Sequence, residues 1–115
     1  MSEKPLIPVL CKDLFFGSQI HGGLARAGYR GQTCLSQEAA SPLLEKSPDW
    51  VVIDLEFPGL DLPGLLKACP GETRTIAFGP HVRTDLFAMA EEAGVQSLLT
   101  RGQASAQLEA WLQQH

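Results

Sequence analysis

The sequence predicts a single α/β domain: a flavodoxin-like three-layer sandwich in which helices cover both faces of a five-stranded parallel sheet of order 2-1-3-4-5. The first supporting observation is that strand-like and helix-like segments alternate five times, which favours right-handed crossovers between parallel strands. The second is the apolar run at residues 50–53, which is typical of a strand buried on both faces. The third is the length of 115 residues, which fits one domain with one core.

The five strands are predicted where short apolar or β-branched runs stand between turn residues. These runs are residues 6–11, 32–35, 50–53, 75–78 and 95–99. The second run carries the weakest strand signal. In the predicted order the first and third strands are neighbours, so the segments that follow them face each other at one edge of the sheet.

The first helix is predicted from four apolar residues at helical spacing: Phe16, Ile20, Leu24 and Ala27. Gly28 ends this helix. The other helices are predicted at residues 36–47, 62–68, 84–93 and 104–114. In the second helix, Pro42 either kinks the helix or opens a shorter one behind Ser41 as its cap.

Composition excludes several classes of function. The net charge of −4 and the pI near 5.2 argue against electrostatic binding to nucleic acid or to an anionic membrane surface. No apolar stretch approaches the length of a membrane span, and residues 1–5 lack the apolar region of a signal peptide. The three cysteines show no C-x-x-C spacing, and we expect Cys11 and Cys34 to be buried thiols. The predicted location is therefore the cytoplasm.

Asp54 is the most informative residue of the chain, because it ends the apolar third strand. Ligands of open α/β sheets bind beyond the carboxyl ends of the strands. We expect Asp13, which follows the first strand, to face Asp54 across this crevice. The loops after the fourth and fifth strands, which contain Gly79-Pro80-His81 and Arg101-Gly102, complete the rim.

Two stretches resemble the receiver domains of two-component response regulators, the CheY-like family. Residues 52–61 read Val-Ile-Asp-Leu-Glu-Phe-Pro-Gly-Leu-Asp and are similar to the stretch that carries the phosphoacceptor aspartate of receivers. Residues 90–95, Ala-Glu-Glu-Ala-Gly-Val, followed by Leu-Leu-Thr-Arg at 98–101, are similar to the family's helix end and fifth strand. The resemblance covers nearly the whole chain and implies a receiver-like domain at residues 1–115 without a separate output domain.

The resemblance also implies magnesium-assisted transfer of a phosphoryl group from a histidine kinase to Asp54. Receivers place two acidic residues after the first strand to hold the metal, whereas this chain has Lys12 and Asp13. Asp13, Asp54 and the backbone carbonyl of Glu56 would supply oxygen ligands of the kind that magnesium prefers. Because Lys12 brings a positive charge, we expect metal binding to be weak, and we expect no cofactor to be required.

Other positions depart from the receiver pattern in ways that bear on activity. After the fourth strand, receivers carry Ser or Thr and then a small residue with an amide, but this chain has Gly79 and Pro80, which supply neither donor. Leu98 stands where receivers carry an aromatic residue. Arg101 stands where they carry Lys, and we hypothesise that it pairs with Asp54 or Asp13, the alternative being that it points into solvent.

Three functions remain open at this point. The first is a degenerate receiver that acts through protein–protein interaction, independently of aspartyl phosphorylation, and this is the function we favour. The second is an atypical phosphorelay receiver, whose only activities would be autophosphorylation from a phosphodonor and autodephosphorylation at Asp54. The third is an anion-binding flavodoxin-like domain that uses Arg101, although no Gly-rich loop follows the first strand. The expected partner is a signalling protein, with a histidine kinase as one candidate, and homodimers would form through the fourth helix, fifth strand and fifth helix.

Overall fold

Five parallel strands form one sheet of order β2-β1-β3-β4-β5 in the computed structural model, which describes residues 4–115. The strands are β1 Leu6–Leu10, β2 Arg30–Cys34, β3 Trp50–Asp54, β4 Arg74–Gly79 and β5 Ser97–Thr100. This order confirms the predicted topology. The prediction about residues 1–5 falls partly on Met1, Ser2 and Glu3, which lie outside the described residues.

Six helices connect and flank these strands within the described residues: α1 Leu14–Arg26, α2 Gln37–Leu44, α3 Leu62–Ala68, α4 Thr84–Ala93, α5 Arg101–Ala106 and α6 Leu108–Gln114. The prediction of one last helix over residues 104–114 was wrong. Thr100 and Gln103 form a capping box that starts α5 at Arg101, and a separate helix, α6, follows from Leu108. The second helix continues through Pro42, so the shorter helix behind Ser41 does not form.

Each face of the sheet has its own buried cluster, which makes the predicted three layers. On one face, apolar residues of α1, α5 and α6, such as Ile20 and Leu108, pack against Val52. On the other face, residues of α2, α3 and α4 pack against Val51 and Ile53. Because successive residues of a strand point to opposite faces, β3 is buried along its whole length.

The strand register brings the functional loops to one edge of the sheet. Leu10 of β1 is level with Ile53 of β3, and Asp54 is level with Phe78 of β4. Gly79 is level with Thr100 of β5. The residues that follow β1, β3, β4 and β5 therefore border a common crevice, as predicted. Among residues 4–115, no helix has the length and apolar character that would be needed to cross a bilayer.

Candidate functional site

Asp54 lies at the floor of the crevice, with only 5% of its surface exposed. Its Oδ1 atom accepts a hydrogen bond of 2.8 Å from the backbone amide of Glu56. Its Oδ2 atom lies 3.8 Å from the Sγ atom of Cys11, a weak donor. The turn after β3 thus holds the carboxylate in a fixed orientation, with the side chain almost removed from solvent.

Burial raises the pKa of Asp54 above its ordinary value. The Glu56 amide and the positive charge of Arg101 oppose this effect, because both favour the ionised carboxylate. Burial also raises the pKa of Cys11, so this thiol stays protonated at neutral pH. Cys11 therefore faces Asp54 as a neutral donor. Sequence reasoning assigned Cys11 only to the core, although its position directly after β1 places it at the same edge as Asp54.

Asp13 is already engaged on both carboxylate oxygens. Its Oδ1 atom accepts a hydrogen bond of 2.9 Å from the Phe16 amide, which makes Asp13 the N-cap of α1. Its Oδ2 atom lies 3.4 Å from a guanidinium nitrogen of Arg101. The structure thus brings Asp13 to the predicted side of the crevice, where it caps a helix and pairs with an arginine.

Arg101 occupies the middle of the rim. Its Nη1 atom donates a hydrogen bond of 3.0 Å to Oε1 of Glu56, while Nη2 faces Asp13. The guanidinium carbon lies 4.4 Å from the centre of the Phe16 ring, within range of a cation–π interaction. The hypothesis that Arg101 pairs with Asp13 is confirmed. Of the two carboxylates that the hypothesis allowed, the structure selects Asp13, and the second contact of the guanidinium goes to Glu56.

The rim after β4 offers no side-chain donor at Gly79 and no amide at Pro80. The carbonyl of Pro80 accepts a hydrogen bond of 3.0 Å from the Arg83 amide and closes a turn. A Cβ atom placed on Gly79 would lie 3.6 Å from Leu55 and 3.9 Å from Phe87, which are ordinary van der Waals distances. The hydroxyl that receivers carry here is therefore absent although the backbone leaves room for it.

Arg83 adds a second cation to the rim, which the sequence analysis missed. Its Nε and Nη2 atoms each donate a hydrogen bond of 3.0 Å to Asp85. Its Nη1 atom lies 4.0 Å from Oε2 of Glu56. These hydrogen bonds hold the pKa of Asp85 below its usual range. Arg83 precedes Asp85 by two residues, but the contact with Glu56 depends on tertiary structure, so the sequence alone carried no signal for it. The neighbouring His81 is exposed.

The rim offers a magnesium ion few free ligand atoms. Among residues 4–115, no three His, Cys, Asp or Glu side chains form a group that would hold a metal. One oxygen of Asp13 and one of Asp54 accept amide donors, and Arg101 already supplies positive charge between Asp13 and Glu56. Lys12 is exposed, and its ammonium lies 5.4 Å from the centre of the Phe57 ring. A divalent cation would have to displace Arg101 from Asp13.

Solved structures of receiver proteins share this fold. The signal receiver domain of the response regulator NarL from Mycobacterium tuberculosis is 18% identical, with a TM-score of 0.77 over 98% of this chain and 96% of that one. The chemotaxis response regulator CheY4 of Vibrio cholerae is 15% identical, with a TM-score of 0.77 over 97% of this chain and 98% of that one. A CheY-like protein (tadZ) from Pseudomonas aeruginosa is 20% identical, with a TM-score of 0.75 over 96% of this chain and 98% of that one.

The sequence matches no family model and no curated protein. The structural matches cover nearly the whole chain, so the chain has the receiver fold. The resemblance that the sequence motifs predicted is confirmed at the level of the fold.

Proposed function

We propose that this chain is a receiver-like signalling module that acts through protein–protein interaction, independently of phosphorylation at Asp54. The observation that carries the proposal is the rim after β4. Gly79 and Pro80 stand at the two positions from which receivers direct a hydroxyl and an amide to the phosphoryl oxygens. Gly79 has no hydroxyl, and Pro80 has no backbone N–H.

The binding energy that the two missing donors would supply is comparable to the free energy needed for a conformational switch. A hydrogen bond to a charged group contributes about 1.5–3 kcal/mol. A shift of a two-state equilibrium from 1:99 to 99:1 requires about 5.5 kcal/mol of differential binding. Loss of both donors therefore removes an amount comparable to the whole switching energy, so a phosphoryl group on Asp54 would not drive the β4 side of the crevice to a new position.

The ion pairs of Arg101 support the same proposal. A guanidinium that bridges Asp13 and Glu56 places a positive charge on Asp13, one of the two carboxylates from which a metal site would be built. Magnesium binding, if it occurs, is proposed to be weak, because the ion competes with an internal cation that cannot be deprotonated. The module thus requires no cofactor to hold its rim together.

The proposed partner is a signalling protein that recognises the folded surface, and a histidine kinase is one candidate. The proposed surface for homodimers consists of α4, β5 and the two helices α5 and α6 into which the predicted fifth helix divides, and Met89 of α4 is 40% exposed there. We do not propose a nucleic acid as the partner, because the chain has a net charge of −4. A cytoplasmic location is proposed because all three cysteines are free thiols.

An atypical phosphorelay receiver is the second candidate, and one observation favours it. Asp54 is intact at the end of β3, and its Oδ2 atom has only the weak Cys11 donor among the described residues. An acceptor oxygen is thus present at the expected place. The anion-binding domain is less favoured, because Arg101 is already paired with two carboxylates.

Incubation with acetyl phosphate and magnesium, followed by intact-mass measurement, tests the proposal. We expect no stoichiometric addition of a phosphoryl group, and the same mass distribution for the wild-type protein and Asp54→Asn. A receiver for which addition of a phosphoryl group from acetyl phosphate has been verified serves as the positive control for the donor. Addition of one phosphoryl group per chain that Asp54→Asn abolishes would contradict the proposal and establish the phosphorelay function.

A further inference from the structure

Five charged side chains of alternating sign form a continuous line across the rim: Asp13, Arg101, Glu56, Arg83 and Asp85. The nitrogen–oxygen distances along this line are 3.4, 3.0, 4.0 and 3.0 Å. We call these five residues the clasp. Each member except the two ends contacts an opposite charge on both sides, so the clasp is a network and not a set of separate pairs.

The clasp joins four segments that the sequence keeps far apart. Asp13 caps α1, and Arg101 is the first residue of α5. Glu56 belongs to the turn after β3, at the centre of the line. Arg83 and Asp85 lie at the start of α4. By contrast, the exposed pair between Arg26 and Glu109 joins only α1 and α6.

Two features make the clasp more than a group of surface charges. Isolated exposed ion pairs contribute little, but networks and bidentate arginine pairs are the recognised exceptions. Arg83 binds Asp85 through two nitrogens, and its backbone amide is tied to Pro80. Arg101 also stacks on Phe16, which keeps its guanidinium only 29% exposed. Both arginines are therefore held in place by contacts besides those with Glu56.

We propose that the clasp fixes the first turn of α4 against the turn after β3 and couples it to α1 and α5. The interaction surface of the module is thereby held in one conformation without a phosphoryl group. This inference rests on the proposed function and adds to it the means by which the surface is set. The clasp opens at its longest contact, the 4.0 Å separation between Glu56 and Arg83.

Amide hydrogen exchange of residues 82–87, measured without phosphodonor, tests this coupling. The informative variant is Arg101→Gln. Among the described residues, Arg101 forms no hydrogen bond or ion pair with residues 82–87, so its influence must pass through Glu56 and Arg83. We expect exchange at residues 82–87 to accelerate about fivefold in Arg101→Gln and in Glu56→Gln, the factor that corresponds to about 1 kcal/mol.

Arg26→Gln is the matched control, because it removes one exposed arginine from an ion pair outside the clasp. We expect it to leave exchange at residues 82–87 unchanged. Raising sodium chloride to about 1 M, where the Debye length is about 3 Å, should accelerate exchange in the wild-type protein and have a smaller effect in Glu56→Gln, in which Arg83 keeps only its pair with Asp85.

Exchange at residues 82–87 that stays at the wild-type rate in Arg101→Gln would overturn the clasp, whatever the rate in Glu56→Gln. An equal response to salt in the wild-type protein and Glu56→Gln would also overturn it. Both measurements use unphosphorylated protein, so they are separate from the acetyl phosphate experiment. Phosphorylation of Asp54 together with fivefold faster exchange in the variants would reject the proposed function and leave the clasp in place.

Discussion

The interior of the sheet and its carboxyl edge differ in burial and in charge. Every residue of β3, from Trp50 to Asp54, is buried. The next polar residue, Glu56, is partly exposed and lies in a network of charges that solvent reaches. Asp54 belongs to both regions, since it ends the buried strand and borders the crevice.

This difference explains how the fold persists at low sequence identity. The solved receivers described above share no more than 20% of their residues with this chain, yet their TM-scores are at least 0.75. Burial of the strands and the helix faces supplies the stability, and many apolar residues meet that requirement. The edge supplies contacts whose energies are small, so its residues can change without loss of the fold.

The largest effect is expected inside the sheet. Ile53→Ala removes a side chain that is fully buried against α2, α3 and α4, so the free energy of unfolding should fall by about 2–5 kcal/mol. Leu14→Ala is the matched control at the edge, because Leu14 is 82% exposed and should change stability by less than about 0.5 kcal/mol. Chemical denaturation of both variants makes the measurement. Equal losses would break the distinction between the two regions.

Asp54→Asn should raise the free energy of unfolding, by less than Ile53→Ala lowers it. The size of this gain should depend on pH. Because burial raises the pKa of Asp54, the folded state keeps the proton at pH values where the unfolded state has released it. Stability is therefore lost as the pH rises from the ordinary carboxyl pKa to the raised one. The asparagine variant lacks this loss and keeps an acceptor for the Glu56 amide, so it should be the more stable protein at neutral pH.

Thermal unfolding of both proteins from pH 3 to 8 checks this expectation, because carboxyl groups titrate within this range. The other carboxylates are common to both proteins, so the difference between the two curves reports Asp54. The advantage of Asp54→Asn should shrink as the pH falls to the ordinary carboxyl range. A difference that does not change with pH would show that Asp54 does not titrate differently in the folded state.

The smallest effect is expected for Gly79→Ser at the edge. A Cβ atom fits there at ordinary contact distances, so stability should change by less than about 1 kcal/mol. Gly31→Ser in β2 is a matched control, since its Cβ would collide with the His21 ring and press on Leu24, and overpacking costs about 1–3 kcal/mol. Denaturation midpoints of the two variants compare them. A loss at Gly79 as large as at Gly31 would contradict the space that the backbone leaves at Gly79.

The strands and helices of the interior were predicted well, because the spacing of apolar residues and the positions of turn residues determine them. The third and fourth helices have the predicted bounds, Leu62–Ala68 and Thr84–Ala93. The error at the last helix was local, since Thr100 and Gln103 form a T-x-x-Q capping box that could have been recognised.

The candidate site was predicted only in part. The strand order placed Asp13, Asp54 and Arg101 at one edge, which the structure confirms. The partner of each charge was not predictable, because a guanidinium on a long side chain reaches several carboxylates and the choice depends on a few ångströms of loop position. For the same reason Arg83 was missed, and Arg101 contacts Glu56 where Asp54 had been considered.

The two tryptophans of the chain lie at the opposite end of the sheet from the crevice. Trp50 begins β3 and meets Trp111 with ring centroids 5.3 Å apart. Asp54 lies four positions after Trp50 along this extended strand, a distance of about 13 Å. Tryptophan fluorescence should therefore report global unfolding of this protein and should not change on binding or chemistry at Asp54. Events at Asp54 require a separate spectroscopic reporter.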